Sequence, residues 1–272
     1  MKYVKAGSEH IPALGFGTYL LSGQTCVDAV RDAVAVGYRH IDTAEMYGNE
    51  AETGEGIRQS GVSRNELFVT TKLWNDSLAP SAVQRTTEQS LTSLQTDYID
   101  LLLIHWPSSR VPLEDTLDAM NRLREQGKVR HLGVSNFNIA LLQRALKTGV
   151  PLITNQVEYH VMLNQDKLMT FMRSHGMFLT AYSPLAKGRL VNNPVLREIG
   201  EKHDKTDVQV ALRWLVQQDD VATVPKASGP DKRRKNFDIF DFELDSEDLE
   251  LIDRLEKNRR VVDFPGLSPQ WD

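Results

Sequence analysis

Asp42, Lys72 and His105 each close an apolar run of the kind that fills a core, in GYRHID, LFVTTK and YIDLLLIH, and Tyr47 follows Asp42 by five positions. An ammonium or an imidazole at the end of such a run costs on the order of several kcal/mol unless it is partnered. Lys72 therefore requires a carboxylate, and Asp42 on the neighbouring segment supplies one. An ammonium beside a phenol stabilises phenolate and lowers a pKa that is ordinarily about 10. A Tyr47 tuned in this way can hand a proton to an oxygen that is becoming alkoxide, while His105 hydrogen-bonds and orients the same oxygen. That is what a carbonyl needs when a hydride reaches its carbon. The pattern leaves two forms of His105 open, neutral imidazole and imidazolium.

No side chain supplies a hydride, so this chemistry calls for a cofactor. Tyr182 ends FLTAY and can present its ring face to a nicotinamide, with Ser135 and Asn136 of GVSNF and Gln156 of ITNQVEY bonding the carboxamide. The stretch VPKASGPDKRRKN gathers Lys226, Lys232, Arg233, Arg234 and Lys235 around an expected helix N-terminus near Ser228 and Gly229. Helix-end amides and lysines together suit a phosphate group. Arg233 and Arg234 read as a solvated basic face, whereas Lys226 reads as the last residue of a strand. Singly, a polar residue at a strand end reads as a turn or a solvent contact; Lys72 after LFVTT and His105 after LLLI resist that reading, because those runs look fully buried.

The elements that would position these residues alternate regularly. Short β-branched segments recur at 13–17, 38–43, 67–72, 98–105, 129–135, 152–158, 178–182 and 221–226. Helical patterns stand between them at 25–36, 80–94, 113–126, 139–148, 166–175, 196–203 with 207–218, and 232–237. Eight such repeats of about 25 to 30 residues predict a (β/α)8 TIM barrel, in which functional residues lie at the carboxyl ends of the strands. An open doubly wound sheet is the alternative, but GFGTYLLSG lacks the G-x-G-x-x-G turn, and its GFG reads as a tight strand exit. Residues before Gly15 read as a hairpin about a Gly-Ser turn that plugs one end of the barrel. DSEDLELIDRLEK after Leu244 predicts a helix capped by Asp or Ser. The last residues, RRVVDFPGLSPQWD, carry Phe264, Leu267 and Trp271 and are expected to lie over the barrel mouth. No internal linker is evident, so residues 1–272 read as one domain.

The 272 residues are 40% apolar, enough for a large core, and 32 basic against 37 acidic side chains give a net charge of −5. That balance disfavours nucleic acid and anionic membrane as partners. Cys26 is the single cysteine and reads as a small buried residue on the first helix, so no internal disulfide is possible. The N-terminus has no secretory apolar region of about 7 to 15 residues. No run approaches the roughly 18 apolar residues of a spanning helix. A soluble, cytoplasmic protein is expected. His40, His131 and His160 have no partners at metal-ligand spacing, which sets aside a metal-dependent barrel hydrolase.

In order and spacing, GYRHIDTAEMYGNE, LFVTTKLW, DYIDLLLIHWP, GVSNF, TNQVEYH and VPK followed by FDFEL resemble the aldo-keto reductases from Gly15 to the C-terminus. The tail GLSPQWD is similar to small bacterial members that reduce 2,5-diketo-D-gluconate and methylglyoxal. The resemblance implies NADPH extended across the barrel mouth and hydride transfer to an aldehyde or ketone. It implies catalytic roles for Asp42, Tyr47, Lys72 and His105, and cofactor contacts from Thr18, Ser135, Asn136, Gln156 and Tyr182. Ser183 and Leu185 would meet the pyrophosphate, Lys226 and Lys232 the 2′-phosphate with help from Ser228, and Asn236 the adenine. Lys232 stands where the family usually has Arg, keeping the charge without the bidentate fork. Tyr19, Trp74 and Trp106, with His105, would line the substrate pocket. A monomer acting on a small carbonyl compound is expected; the rival reading is a regulatory NADPH-binding barrel without turnover.

Overall fold

The computed structural model describes residues 1–7 and 9–272. The chain opens with an antiparallel pair, β1 (Tyr3–Ala6) and β2 (Glu9–Pro12), whose Val4 and Ile11 are buried. This is the predicted hairpin, although Ser8 of its Gly-Ser turn lies outside the described residues. Pro12 O receives the His40 ring at the start of the barrel, which seats the hairpin on the end opposite the site.

Eight parallel strands follow: β3 (Phe16–Gly17), β4 (His40–Asp42), β5 (Phe68–Leu73), β6 (Ile99–Ile104), β7 (Val129–Ser135), β8 (Leu152–Glu158), β9 (Phe178–Tyr182) and β10 (Val221–Thr223). Each pairs with the next in sequence order. The ring closes where Thr223 N donates to Ala13 O at 2.7 Å, Gly15 N to Thr223 O at 2.8 Å and Gly17 N to Pro225 O at 3.0 Å. The GFG motif is explained by this seam. A Cβ on Gly17 would stand 2.7 Å from Val224 O, and one on Gly15 would stand 2.9 Å from the Val224 side chain. The strands are buried along nearly their whole length, as parallel strands covered by helices must be.

The outer layer comprises α1 (Gly23–Val36), α2 (Glu50–Gln59), α3 (Pro80–Leu94), α4 (Leu113–Glu125), α5 (Ile139–Leu146), α6 (Asp166–Ser174), α7 (Pro194–His203), α8 (Asp207–Gln217), α9 (Pro230–Phe237) and α10 (Ser246–Asp253). The predicted cap of α10 is Asp245, in a reciprocal capping box with Asp248. Apolar periodicity does not announce α2. Its inward face is made partly of Gly54 and Gly56, where a Cβ would stand 2.6 Å from the Leu94 backbone and 2.7 Å from Val30 Cβ. Close helix approach replaces an apolar stripe there.

The strand expected over 221–226 stops at Thr223. Pro225 has no N–H to continue the ladder, so Lys226 lies beyond the strand and is exposed, not at its end. Among the described residues no helix is long and apolar enough to cross a membrane.

Candidate active site

Asp42 ends β4, and its register partner on β5 is Thr70, two residues before Lys72. Residues two apart on a strand share a face, so Lys72 projects to the same interior as Asp42. Both are buried, and Lys72 Nζ donates to Asp42 Oδ1 at 2.6 Å and to Thr43 O at 2.7 Å. The other carboxylate oxygen accepts Gln156 Nε2 from β8 at 2.7 Å. The partner required for Lys72 is therefore the expected one, held from two sides.

Tyr47 sits on a single 3₁₀ turn, Glu45–Tyr47, after β4, with Gly48 in the left-handed region at φ 63°. Its hydroxyl lies 3.5 Å from Lys72 Nζ, and its ring is 5.7 Å from His105 and 5.0 Å from Tyr19. The phenol is half-buried. Its acidity differs from the expectation. Burial pushes the Tyr47 pKa well above 10, and the Asp42 carboxylate and Tyr19 add to the rise. The ammonium of Lys72 is neutralised by Asp42 and stands at the limit of hydrogen bonding to the hydroxyl, so it does not reverse this. Tyr47 is a phenol carrying its proton.

His105 follows β6, its backbone N–H bonded to Leu73 O at 3.0 Å. Burial, and then the nearby Lys72 ammonium, hold its pKa well below 6.5. The ring is thus the neutral imidazole, which resolves the two forms left open by the sequence. Its Nδ1 is buried without a protein partner.

The predicted carboxamide residues form one network. Tyr182 OH donates to Asn136 Oδ1 at 2.7 Å, Asn136 Nδ2 donates to His105 O at 2.9 Å and Ser135 Oγ at 3.0 Å, and Ser135 Oγ donates to Gln156 O at 2.7 Å. Asn136 holds φ 63°, a conformation uncommon outside glycine and often stored at functional sites. Ser183 and Leu185 lie half-buried on the next loop, where Ser183, Ala186 and Lys187 are also left-handed, at φ 47°, 48° and 54°.

Around α9, Lys226, Ser228 and Lys232 are exposed beside the helix N-cap Gly229. Arg233 departs from its expected solvated position. It is buried, pairs with Asp32 at 2.6 Å and donates to Ala227 O and Ser228 O, fixing the loop that presents Lys226. Asn236, expected at the adenine, is buried. Thr18 is buried and lies against Asp42 O and Asn49.

Of the aromatic residues, Tyr19 is exposed above Tyr47, Trp74 is half-buried with its ring 5.2 Å from His105, and Trp106 is buried beneath the tail. Phe264 and Trp271 approach Trp106 at 5.7 and 6.5 Å, so the tail does lie over this side of the mouth.

Two residues of this arrangement were not singled out by sequence. Asn49 stands at the N-cap of α2 yet makes no capping bond with its side chain. Instead it donates to Thr18 O and Leu21 O, each at 2.9 Å, and accepts from Thr43 Oγ1 at 2.8 Å, tying the Tyr19 loop to β4. Glu45 accepts from Trp74 N at 2.8 Å and Ser77 Oγ at 2.7 Å, joining the Tyr47 turn to the Trp74 loop. An Asn after Gly at a helix start reads as an ordinary cap, so the signal for Asn49 pointed elsewhere.

The profile of the aldo/keto reductase family matches residues 13–257. Glyoxal reductase of Bacillus subtilis (strain 168) is 43% identical over 257 residues, covering 94% of this chain and 92% of that protein. Methylglyoxal reductase DkgB of Salmonella typhi is 38% identical over 266 residues, covering 96% and 99%. A crystal structure provisionally named a 2,5-diketo-D-gluconic acid reductase B superposes with a TM-score of 0.97 at 45% identity, covering 100% of this chain and 98% of that one. Reductases of this family act on carbonyl compounds and generally use NAD(P)H. The eight-stranded barrel, the four side chains at its mouth and these matches lead to one assignment: the chain belongs to the aldo/keto reductase family.

Proposed function

We propose that the protein reduces small aldehydes and ketones to alcohols with NADPH, with dicarbonyls such as methylglyoxal as its leading substrates and keto-sugar acids such as 2,5-diketo-D-gluconate and aromatic aldehydes beside them. The observation that carries this reading is the convergence of Tyr47, Lys72, Asp42 and His105 on one corner of the mouth.

The donor set suits a nicotinamide dinucleotide phosphate. Tyr182 keeps its hydroxyl on Asn136, which leaves the ring available for stacking at the half-open mouth. Lys226 and Lys232 are exposed and, among the described residues, form no ion pair, so both remain available to a phosphate. The reduced nicotinamide, when bound, supplies the hydride. Neutral His105 orients the carbonyl oxygen by a hydrogen bond. Tyr47 donates its hydroxyl proton to that oxygen as negative charge develops there. Lys72 lies beside the phenol oxygen and offsets the charge left on it, and Asp42 keeps the ammonium in place. Trp74, Trp106 and Tyr19 provide apolar walls about this polar corner, as small carbonyl compounds require.

The test is loss of NADPH absorbance with methylglyoxal, 2,5-diketo-D-gluconate and an aromatic aldehyde. Turnover with any of them supports the proposal. Tight NADPH binding without oxidation across the panel would favour the regulatory barrel instead.

A further inference from the structure

The C-terminal segment meets the barrel at one buried carboxylate. Glu158, the last residue of β8, is fully enclosed. Its Oε1 accepts from Val261 N at 2.7 Å and from His160 Nε2 at 3.0 Å, and its Oε2 accepts from Val262 N at 2.7 Å. Met162 N donates to His160 Nδ1 at 3.3 Å, which leaves the ring hydrogen on Nε2, directed at Glu158. Three N–H groups thus face a side chain that only accepts.

Beyond this anchorage the chain forms the wall over Trp106. Trp271 is stacked by the Arg260 guanidinium at 3.8 Å and donates from Nε1 to Asp263 Oδ1 at 3.2 Å. The far end is held at α5, where Asn138 Nδ2 donates to Gln270 O at 2.8 Å and Ile139 N donates to Asp272 Oδ2 at 2.9 Å. Between the two anchorages lies a turn at Phe264–Ser268, whose Phe264 is 45% exposed and packs edge-on against Trp106. Glu158 is two residues beyond Gln156 on the same strand, so both side chains leave the same face. Gln156 holds Asp42. One strand therefore registers the tail against the carboxylate at the base of the site.

We propose that Glu158 is a positioning residue that sets substrate preference: by fixing residues 261 and 262 it determines how the Phe264 and Trp271 wall stands over Trp106. Aromatic carbonyl compounds extend to that wall and depend on it. A three-carbon dicarbonyl, bounded by Tyr47, His105 and Trp74, does not reach it. The inference rests on the carbonyl-reductase reading above.

Glu158→Gln sets an amide NH₂ against N–H donors and should loosen the anchorage. The measurements are steady-state NADPH oxidation with methylglyoxal and with para-nitrobenzaldehyde, and amide hydrogen exchange at Val261 and Val262. The expected result is a KM for the aromatic aldehyde raised by about tenfold, kcat changed by less than about threefold, kcat/KM for methylglyoxal within about threefold, and faster exchange at both amides. Equal loss on the two substrates, or unchanged exchange, overturns the proposal. Should Glu158→Gln fail to fold, Glu158→Asp, which keeps the charge but shortens the reach, is read by the same criteria. Trp271→Ala must reproduce the split between substrates, and the absence of a split there also overturns it. A wild-type protein that oxidises NADPH with neither substrate refutes the reductase reading, while exchange at residues 261 and 262 still reports on the anchorage.

Discussion

Gln156 Nε2 donates to Asp42 Oδ2 at 2.7 Å across the barrel, so the carboxylate that neutralises Lys72 is itself held by a strand far away in sequence. Asp42→Asn would confront the Lys72 ammonium and the Gln156 amide with another NH₂ group. Leaving a buried charge unpaired costs roughly 3–5 kcal/mol, and that loss is expected in the urea-unfolding free energy, together with loss of turnover. Gln156→Leu removes one bond to the same carboxylate and should cost about 1–3 kcal/mol. Strict additivity of the two in the double variant would show that the carboxylate does not couple them.

Tyr47→Phe should lower kcat by about 10²–10⁴-fold, with NADPH affinity retained in a fluorescence titration. Turnover within a few fold of wild type would show that another acid serves.

Lys226→Ala with Lys232→Ala should weaken NADPH by about 10²–10⁴-fold, since each charge-assisted bond to a phosphate contributes roughly 1.5–3 kcal/mol. NADH, which lacks the 2′-phosphate, should be nearly unaffected. Equal weakening of both dinucleotides refutes the assignment.

Burial holds the imidazoles of His40, His105 and His131 below their ordinary pKa of 6.5. Below pH 6.5 the unfolded chain binds protons there that the native state does not, so these groups make stability rise with pH up to about 6.5 and level off above it. Glu50, whose carboxyl is raised above 4.5 by burial, acts in the opposite sense just above that value. The comparison that isolates an imidazole is therefore wild type against His105→Gln. The variant should lose less of its thermal midpoint between pH 7 and pH 5; identical losses would mean that His105 protonates in the native protein.

Asn49→Ala removes four bonds that join the Tyr19 loop to β4. The expected cost is about 1–3 kcal/mol of stability, with a higher KM as the Tyr19 wall loosens, measurable by urea unfolding and steady-state kinetics.

The barrel and Asp42, Lys72 and His105 were legible because each rests on a short-range pattern: a buried run, then a polar side chain at its end. Tyr47 was legible only by its nearness in sequence to Asp42. Lys72 in particular announces itself, since its burial demands a carboxylate and the neighbouring strand carries one. What escaped depends on contacts invisible to periodicity. Helix α2 packs through Gly54 and Gly56 rather than an apolar stripe, and Arg233 is drawn inward by Asp32 on a helix about two hundred residues earlier. The direction of the Tyr47 shift escapes the sequence for a related reason. Proximity of Lys72 can be read from strand order, but the extent to which Asp42 screens it and burial opposes it depends on atomic distances.

The seam between Gly17 and Val224 has a consequence for the protein in concentrated solution. A side chain at either glycine of GFG would wedge the first and last strands apart and bare two rows of backbone donors and acceptors. Such an opened sheet would invite a strand from a neighbouring molecule. The absence of two methyl groups therefore guards against self-association as well as closing the ring.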